Sequence, residues 1–425
     1  MRRIIRGQVA LVLGAGLAIA TGCSDQLPTL TDSDRIPSGI KPVTIEYFLD
    51  AADFLVSGLS VRGNTDISNT NFAIVAENFD GALSAHVVTK FEVPPDSHSS
   101  SLLPSGTFQW LEATLRTTVV DSLTSDPAMV FSLWVVDEDF NSSVTWENAI
   151  NDSVPAVPWS QPGGPTTRLV GTTDWVRKEP EDTTSTRNDL VWYVNTSILQ
   201  DFAERDVQPG FMITAGDGTQ TRLGSISLSY LVQPLPETEA DTMMTYSLAQ
   251  VFRRTIISEP APPLPANAWS VGGISSDQTL LRFKLPLELP GCATGSCPSI
   301  PVSAVSLNRV DLLLEPFPVA NGFRPVGPLP ITVRLRYSPD LGAQAALGRI
   351  VSGLAAPAEG FATGTGKEHD FIITAAVANA LSTRDTDFGL ALTIEPDASQ
   401  LSYAWYSRTP RLRFVYTLRQ SPELP

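Results

Sequence analysis

The segment WYVNTSILQDFAERDVQPGFMIT, residues 192–214, aligns without a gap with FIITAAVANALSTRDTDFGLALT, residues 371–393. An Arg-Asp pair holds the same place in both segments, as Arg205-Asp206 and Arg384-Asp385. Each segment predicts a short strand, a helical turn, a polar loop and an apolar strand that opens with a glycine. The match indicates that the chain contains an internal repeat.

Gly210 and Gly389 are the glycines that open these apolar strands. Each follows a polar turn, where the backbone often needs a positive φ that only glycine adopts at low cost. The sequence therefore predicts positive φ at both positions. A bulkier residue there is predicted to strain the turn and shift the register of the following strand.

The elements around the matched segments follow in the same order. Residues 87–94 (VVTKFEVP) correspond to 280–286 (LLRFKLP), and each copy ends in a strand, at 226–230 or at 412–416.

The repeat predicts two tandem modules, residues 42–233 and 241–421, with residues 234–240 (PLPETEA) as their linker. The alternative is one large sandwich whose halves resemble each other only through a shared strand pattern. The ungapped match over 23 positions argues against that alternative.

Apolar and polar residues alternate with a period of two along the chain. This period is typical of strands with one face on a core and the other in solvent, as in antiparallel sheets. With 34 prolines and only 17% charged residues, the composition favours short strands and long loops. The sequence therefore predicts an all-β protein. The alternating segments are 111–120, 129–136, 223–232, 333–337 and 411–418.

Four short motifs resemble DNRLRE-type surface domains, which are related to jelly-roll carbohydrate-binding modules. They are LLRFKL at 280–285, TPRLRFVY at 409–416, ATL at 113–115 and VTWEN at 144–148. The first module departs from the pattern because it lacks a Pro-Arg-Leu ending, and the second lacks the VTW segment. The resemblance implies two tandem jelly-roll-like antiparallel β-sandwich domains that bind polysaccharide or build cell-surface architecture, without a cofactor.

The first 22 residues predict export. Arg2, Arg3 and Arg6 precede an apolar stretch at 9–20 that is too short to span a membrane and suits a signal peptide. Small residues then lead to Cys23, which resembles the lipobox of bacterial lipoproteins, where the cysteine is acylated. The alternatives are an ordinary signal peptide and a short membrane anchor.

Residues 23–41 are polar, carry two prolines and show no periodicity, so they predict a flexible tether. Two or more acyl chains on Cys23 would make membrane anchoring stable. By resemblance to Gram-negative sorting rules, Ser24 favours the outer membrane, on its periplasmic or its outer side.

The formal net charge of −16 disfavours partners that are themselves polyanions. An acidic body is repelled by phosphate backbones, so nucleic acid is excluded as a partner class. Polysaccharide and other envelope proteins remain as predicted partners.

Cys292 and Cys297 lie in a turn-rich loop, PGCATGSCP. In an oxidising compartment such a pair predicts a local disulfide. A metal site is the weaker alternative, because no histidine lies nearby and the spacing differs from CxxC.

Four aromatic residues are predicted to contact a glycan: Trp159, Trp175, Trp405 and Tyr406. Aromatic faces stack on the apolar faces of pyranose rings, and these residues lie in or next to loop-like sequence. Trp134, Trp146 and Trp192 are interpreted as core residues instead.

Asp137, Asp139 and Asn141 have the opening spacing of a calcium loop, in which oxygen ligands two residues apart converge on one cation. The sixth and twelfth positions exclude an EF-hand. A structural calcium is one interpretation, and a solvated acidic turn is the other.

The sequence lacks the nucleophile, zinc-protease, P-loop and dinucleotide motifs, and its three histidines suggest no triad. We therefore expect a non-catalytic surface protein. Polysaccharide binding is the first hypothesis, and a structural, adhesive or assembly role without a sugar site is the second.

Overall fold

The protein consists mostly of antiparallel β-strands, as the alternation predicts. The computed structural model describes residues 43–63, 72–95, 98–100, 103–122, 128–176, 189–235, 243–259, 261–292, 297–364, 366–383, 387–394 and 401–418. The predicted signal peptide, Cys23 and the tether lie outside these ranges.

The described ranges contain 28 strands. The first fourteen are β1 (Thr44–Asp50), β2 (Leu55–Val61), β3 (Ala73–Phe79), β4 (Leu83–Phe91), β5 (His98–Ser100), β6 (Leu103–Ser122), β7 (Ala128–Val136), β8 (Asn148–Ile150), β9 (Val157–Pro158), β10 (Arg168–Val176), β11 (Asp189–Val194), β12 (Gly210–Ala215), β13 (Thr219–Leu223) and β14 (Ser227–Leu235). The others are β15 (Met244–Leu248), β16 (Gln250–Ile257), β17 (Ala268–Gly272), β18 (Gln278–Lys284), β19 (Glu288–Pro290), β20 (Ser299–Pro301), β21 (Val305–Leu314), β22 (Pro316–Phe317), β23 (Leu329–Arg336), β24 (Leu347–Ala356), β25 (His369–Ile372), β26 (Asp387–Ile394), β27 (Tyr403–Ser407) and β28 (Arg411–Leu418).

The described helices are short. They are α1 (Ala51–Phe54), α2 (Thr196–Glu204), α3 (Glu359–Thr363) and α4 (Thr374–Ser382), with 3-10 turns at Val302–Ala304 and Pro339–Gln344. Within the described ranges, none of the helices is long and apolar enough to cross a membrane.

The internal repeat is visible in the strand pairing. β12 pairs with β4 and β7, and β26 pairs in the same way with β18 and β23. β14 pairs with β6, as β28 pairs with β21. The matched segments fold alike, because a nine-residue helix, α2 or α4, lies between two strands in each copy.

Two strands of each predicted module pair with strands of the other module in the same chain, which the predicted boundaries do not allow. β1 and β2 lie in the first predicted module but pair with β28 and β18 of the second. β15 and β16 lie in the second predicted module but pair with β14 and β4 of the first. We therefore correct the division at 234–240. Unit 1 comprises residues 73–257, and unit 2 comprises residues 44–61 together with 268–418.

Unit 2 has its core between a four-stranded and a five-stranded sheet. The strand order is β1-β28-β21-β25 in one and β2-β18-β26-β23-β24 in the other. Both sheets supply residues to one buried cluster, which includes Ile45, Leu312, Phe414, Phe283, Val333 and Leu390. β1 and β2 therefore complete a core that the rest of unit 2 builds.

Unit 1 and unit 2 share strand β3. Val75 of β3 is buried in the core of unit 1, whereas its neighbours Ile74 and Ala76 are buried in the core of unit 2. Beside them, Asp80 binds the guanidinium of Arg324 with both carboxylate oxygens, at 2.7–2.9 Å. Unit 1 and unit 2 therefore contact each other through buried apolar side chains, with the Asp80–Arg324 ion pair at the edge of this contact.

The prediction of positive φ at Gly210 and Gly389 is wrong, because neither is among the positive-φ residues. Both glycines are instead required by close contacts. A Cβ on Gly210 would lie 2.6 Å from Cε1 of Phe140, and a Cβ on Gly389 would lie 2.6 Å from Cβ of Pro339. Gly210 opens β12 as predicted, but Gly389 is the third residue of β26.

The disulfide between Cys292 and Cys297 is confirmed, with a Cα–Cα distance of 5.6 Å. It lies in the connection of the hairpin formed by β19 and β20, where Leu289 faces Ile300. The bridge fastens this hairpin locally.

Candidate functional site

The loop between β7 and β10 buries the first predicted sugar-binding residue. Trp159 is only 5% exposed, its ring packs on Phe140, and its Nε1 donates a hydrogen bond to the carbonyl of Thr145 at 2.9 Å. Together with Val88 and Met212, these rings form a small core between the loop and the outer face of the sheet. Trp159 therefore holds the loop in place and has no ring face for stacking on a sugar.

The residues predicted in the second copy are buried as well. Trp405 is 4% exposed, and Tyr406 is fully buried in the core of unit 2. Trp175 of β10 is partly buried against the core of unit 1. We therefore correct the assignment of Trp159, Trp405 and Tyr406 from glycan contacts to packing residues, whereas Trp175 stays partly exposed and its assignment remains a prediction.

Tyr406 forms a buried polar pair with His369. The hydroxyl of Tyr406 lies 2.8 Å from Nδ1 of His369. Burial holds the pKa of Tyr406 well above its ordinary value, and it lowers the pKa of His369 against the opposing charge of Asp370. Both groups are therefore neutral at pH 7, and the tautomer of His369 decides which of the two donates the hydrogen bond.

The three residues predicted for calcium point to different partners. Asp137 binds Arg168 at 3.1 Å, and Asp139 binds Nζ of Lys90 at 3.1 Å. The side-chain oxygen of Asn141 accepts hydrogen bonds from the backbone and hydroxyl of Ser143. Within the described ranges, no three His, Cys, Asp or Glu side chains are grouped to hold a metal ion. These contacts support the interpretation of the segment as a solvated acidic turn.

These acidic residues line a mixed-charge cavity of 420 Å³ at one end of unit 1. Lys90 lies at its base, and Arg205 of the repeated Arg-Asp pair lies at its rim, 2.8 Å from Asp201. Nζ of Lys90 also donates to the carbonyl of Phe140. The lining holds four acids, Asp137, Glu138, Asp139 and Asp206, against the two bases Lys90 and Arg205, so its formal charge is net negative.

Unit 2 places a different ion pair at the corresponding position. Arg282 of β18 stands where unit 1 has Lys90, and its guanidinium binds both carboxylate oxygens of Asp387. Hydrogen bonding to Arg282 lowers the pKa of Asp387, and burial opposes this effect. Arg336 lies nearby, and burial lowers the pKa of its guanidinium. This guanidinium donates to the carbonyl of Gly342 and closes the turn.

We expect Asp387→Asn to reduce stability at neutral pH but not in strong acid. A carboxylate with a depressed pKa stabilises the folded state above its unfolded pKa of about 3.9, and this stabilisation is lost as the pH falls through the folded pKa. The pair is largely exposed, so the loss at pH 7 should be at most about 1 kcal/mol. Urea unfolding of parent and variant from pH 7 to pH 2 measures it. A difference that persists unchanged at pH 2 would contradict this account.

An acidic groove of 760 Å³ lies where β1 meets the later strands of unit 2. Asp50, Glu315 and Glu368 surround Arg411 there. The guanidinium of Arg411 binds both carboxylate oxygens of Glu368, and this contact raises its pKa. The groove exists because β1 docks on unit 2, since Asp50 lies at the end of that strand.

One exposed aromatic residue was not found from the sequence. Tyr193 of β11 is 71% exposed on the outer face of the sheet β11-β6-β14-β15. On that face it lies opposite Thr114, whose hydroxyl is 3.0 Å from that of Ser229. A cavity of 190 Å³ beside them is lined by Glu112 and Arg116 among others. The exposure of Tyr193 depends on which face of β11 is turned to solvent, and the neighbouring residues do not indicate that face.

His86 lies close to a serine and a glutamate but not in a catalytic order. Its Nδ1 is 2.8 Å from the carbonyl of Gly163, and its Nε2 is 3.1 Å from Glu77. The hydroxyl of Ser84 contacts Glu77 at 3.3 Å rather than the imidazole. The histidine therefore holds the loop end at Gly163, and the hydroxyl of Ser84 donates to the carboxylate of Glu77 rather than to a histidine.

No family model matches the sequence, and a search of curated proteins found no match. Among solved structures, one match is the C-terminal domain of the Streptococcus pyogenes antigen I/II-family protein AspA. It shares 8% identity, covers 86% of this chain and 92% of that chain, and has a TM-score of 0.17. A TM-score this low carries no argument about fold or function.

Proposed function

We propose that the protein is a non-catalytic, lipid-anchored surface protein of the cell envelope with a structural, adhesive or assembly role. The proposal combines the export signal and Cys23 of the sequence with the packing of the body. Three of the four aromatic residues predicted to contact a glycan are buried, which favours the second hypothesis from the sequence.

The observation that supports it most is the position of the first described strand. The tether leads directly into β1, which pairs over its whole length with β28, the last described strand of the chain. Val43 also accepts a hydrogen bond from the backbone of Leu418. A pull on the anchor is therefore transmitted into the core of unit 2, and through the shared strand β3 into unit 1.

The sheet arrangement is consistent with a finer fold assignment. Unit 2 combines two antiparallel sheets over one core, which is how a jelly-roll-like sandwich is built, and the strands of unit 1 form one continuous twelve-stranded sheet around its core. We include this fold, and the relation to DNRLRE-type domains, in the proposal. Envelope proteins are the partners that such a scaffold would hold.

We expect Cys23→Ala to abolish acylation of the exported protein. The precursor should remain unprocessed, or the body should be released from the membrane, because acyl chains provide the stable attachment. Detergent partitioning and the mass of the N-terminal peptide measure this. A variant that still enters the detergent phase with a mature N-terminus would refute the lipid anchor.

Polysaccharide binding is retained as a second candidate because of Tyr193. An exposed ring beside hydroxyl and charged side chains is the composition that a sugar site uses. On a glycan array, any signal from the soluble body should fall about tenfold or more in Tyr193→Ala, since stacking contributes about 1.4 kcal/mol or more. Tyr337→Ala is the control, because Tyr337 is 59% exposed but lies on unit 2. Binding that both variants retain equally would remove this face as the site.

A further inference from the structure

Residues 43–63, which we call the donor segment, cross from their place in the sequence into unit 2. Its strands β1 and β2 are each the first strand in the order of their sheet. Removing them would therefore leave the other pairings of unit 2 intact. The donor segment therefore completes a core that residues 268–418 otherwise form.

The donor segment fills that core with large side chains. Ile45, Leu49 and Phe54 are each less than 10% exposed and belong to the cluster of unit 2. The ring of Phe54 meets the ring of Phe283 edge-on at 5.3 Å. Without the segment, unit 2 would expose a continuous apolar cleft, which in water strongly favours being filled.

The cleft is shaped for this one sequence. Gly58 passes over the buried indole of Trp269 so closely that a Cβ would lie 2.1 Å from the ring. Ser60 accepts a hydrogen bond from the backbone of Ser270 at 2.8 Å, and the backbone of Gly63 donates to Ser275 at 3.0 Å. An unrelated strand would not satisfy these contacts together.

The corresponding strands of unit 1 are held differently. β15 and β16 lie between unit 1 and unit 2 in the sequence, so both of their ends continue into folded chain. Within the described ranges, the donor segment has chain on its C-terminal side alone, across residues 64–71, and the predicted tether precedes it. Of the two inserted pairs, it is therefore the one that does not lie between two described units, which favours it as the pair that reaches a different molecule.

We propose that the donor segment also inserts into unit 2 of a second copy of this protein, so that neighbouring molecules are linked by exchanged β1–β2 pairs. The cleft of one copy cannot distinguish its own segment from that of a neighbour, because the two are identical. Reciprocal exchange keeps every contact of the monomer and changes only the connection at 64–71, which makes such exchange a low-cost route to association. Non-reciprocal exchange would extend the link to further copies.

High local concentration favours the exchanged form. The covalent connection favours insertion into the same chain, since it acts as a high effective concentration of the segment. Neighbouring copies compete with it when they fold side by side. The inference goes beyond the proposed function, because it requires only two copies and not a particular ligand.

A disulfide test can detect the exchange in the full-length protein. The hydroxyls of Thr44 in β1 and Thr417 in β28 lie 3.3 Å apart and are exposed. One tagged copy carries Thr44→Cys and a second, differently tagged copy carries Thr417→Cys, and the two are co-expressed and exported. Exchange should give a disulfide-linked heterodimer at twice the monomer mass that disappears on reduction.

The control pairs Thr44→Cys with Tyr337→Cys, an exposed position that is not a partner of β1. We expect about tenfold more heterodimer from the first pair than from the control if strands are exchanged, because only exchange brings the first two sulfurs together repeatedly. Absence of heterodimer, or equal amounts from both pairs, would overturn the proposal. A single chain carrying both Thr44→Cys and Thr417→Cys should close internally, which confirms that the pair can react.

Discussion

Gly58→Val should unfold unit 2 at denaturant concentrations that leave the parent intact. The added Cβ alone would lie 2.1 Å from the indole of Trp269, and the indole is buried and cannot move aside. Either β2 leaves the sheet or the core around Trp269 opens. Overpacking of a rigid core usually costs 1–3 kcal/mol, so a contact this short should cost about 3 kcal/mol or more.

Gly171→Val is the matched control for this substitution. Gly171 also lies in the outermost strand of a sheet, β10, but a Cβ there would meet no atom within 4 Å. We expect its free energy of unfolding, measured in urea, to stay within about 0.5 kcal/mol of the parent value, as for most exposed surface changes. Equal destabilisation by both substitutions would show that β2 is not docked on Trp269 as described.

The strands were predictable from the sequence because their signal is local. The alternation in residues 129–136 and 411–418 specifies which face of β7 and β28 is buried, and both strands are present. The choice of partner is not local. β1 and β15 occupy equivalent places in two similar units, so the pattern of each fits either β14 or β28. Only the assembled structure shows that they are exchanged.

The predicted site failed for a related reason. Trp405 and Tyr406 lie in β27, whose residues are buried on both faces. This aromatic pair, which the sequence places next to a loop, therefore lies in the core. Trp159 lies in loop-like sequence, yet the loop folds back onto the sheet and covers it. The residues next to a position in the sequence do not show whether a distant part of the chain covers that position in the fold.

For Gly210 and Gly389, the need for glycine was predicted, but the predicted reason was wrong. The repeat identified Gly210 and Gly389 as special, but the cause is the approach of Phe140 and Pro339 from another segment, not the backbone angle. A contact between residues 50 or more positions apart cannot be derived from the turn that precedes each glycine. The steric consequence for substitution is the same, whereas the mechanism differs.

Cutting the chain between Glu239 and Ala240 should leave two fragments that do not separate. The first fragment carries β1 and β2, which complete unit 2, and the second carries β15 and β16, which complete unit 1. Separation would therefore open both cores at once and expose Ile45 and Phe54 among others. Interfaces built from core residues on this scale are expected to dissociate only at about nanomolar concentrations or below.

A specific protease site inserted after Glu239 tests this, with size-exclusion chromatography before and after cleavage and again in denaturant. We expect the cleaved protein to elute with the uncut protein in buffer and as two fragments only when denatured. The uncut protein carrying the same insertion controls for effects of the added residues. If the fragments separate in buffer and each keeps its β-rich circular dichroism, then each module folds alone within 42–233 or 241–421, and the strand exchange does not occur in solution. If they stay together, the strands that pair across the cut, β1 and β2 of the first fragment and β15 and β16 of the second, remain paired in solution, and the core of unit 2 then contains the part of the described chain that is most distant from it in sequence.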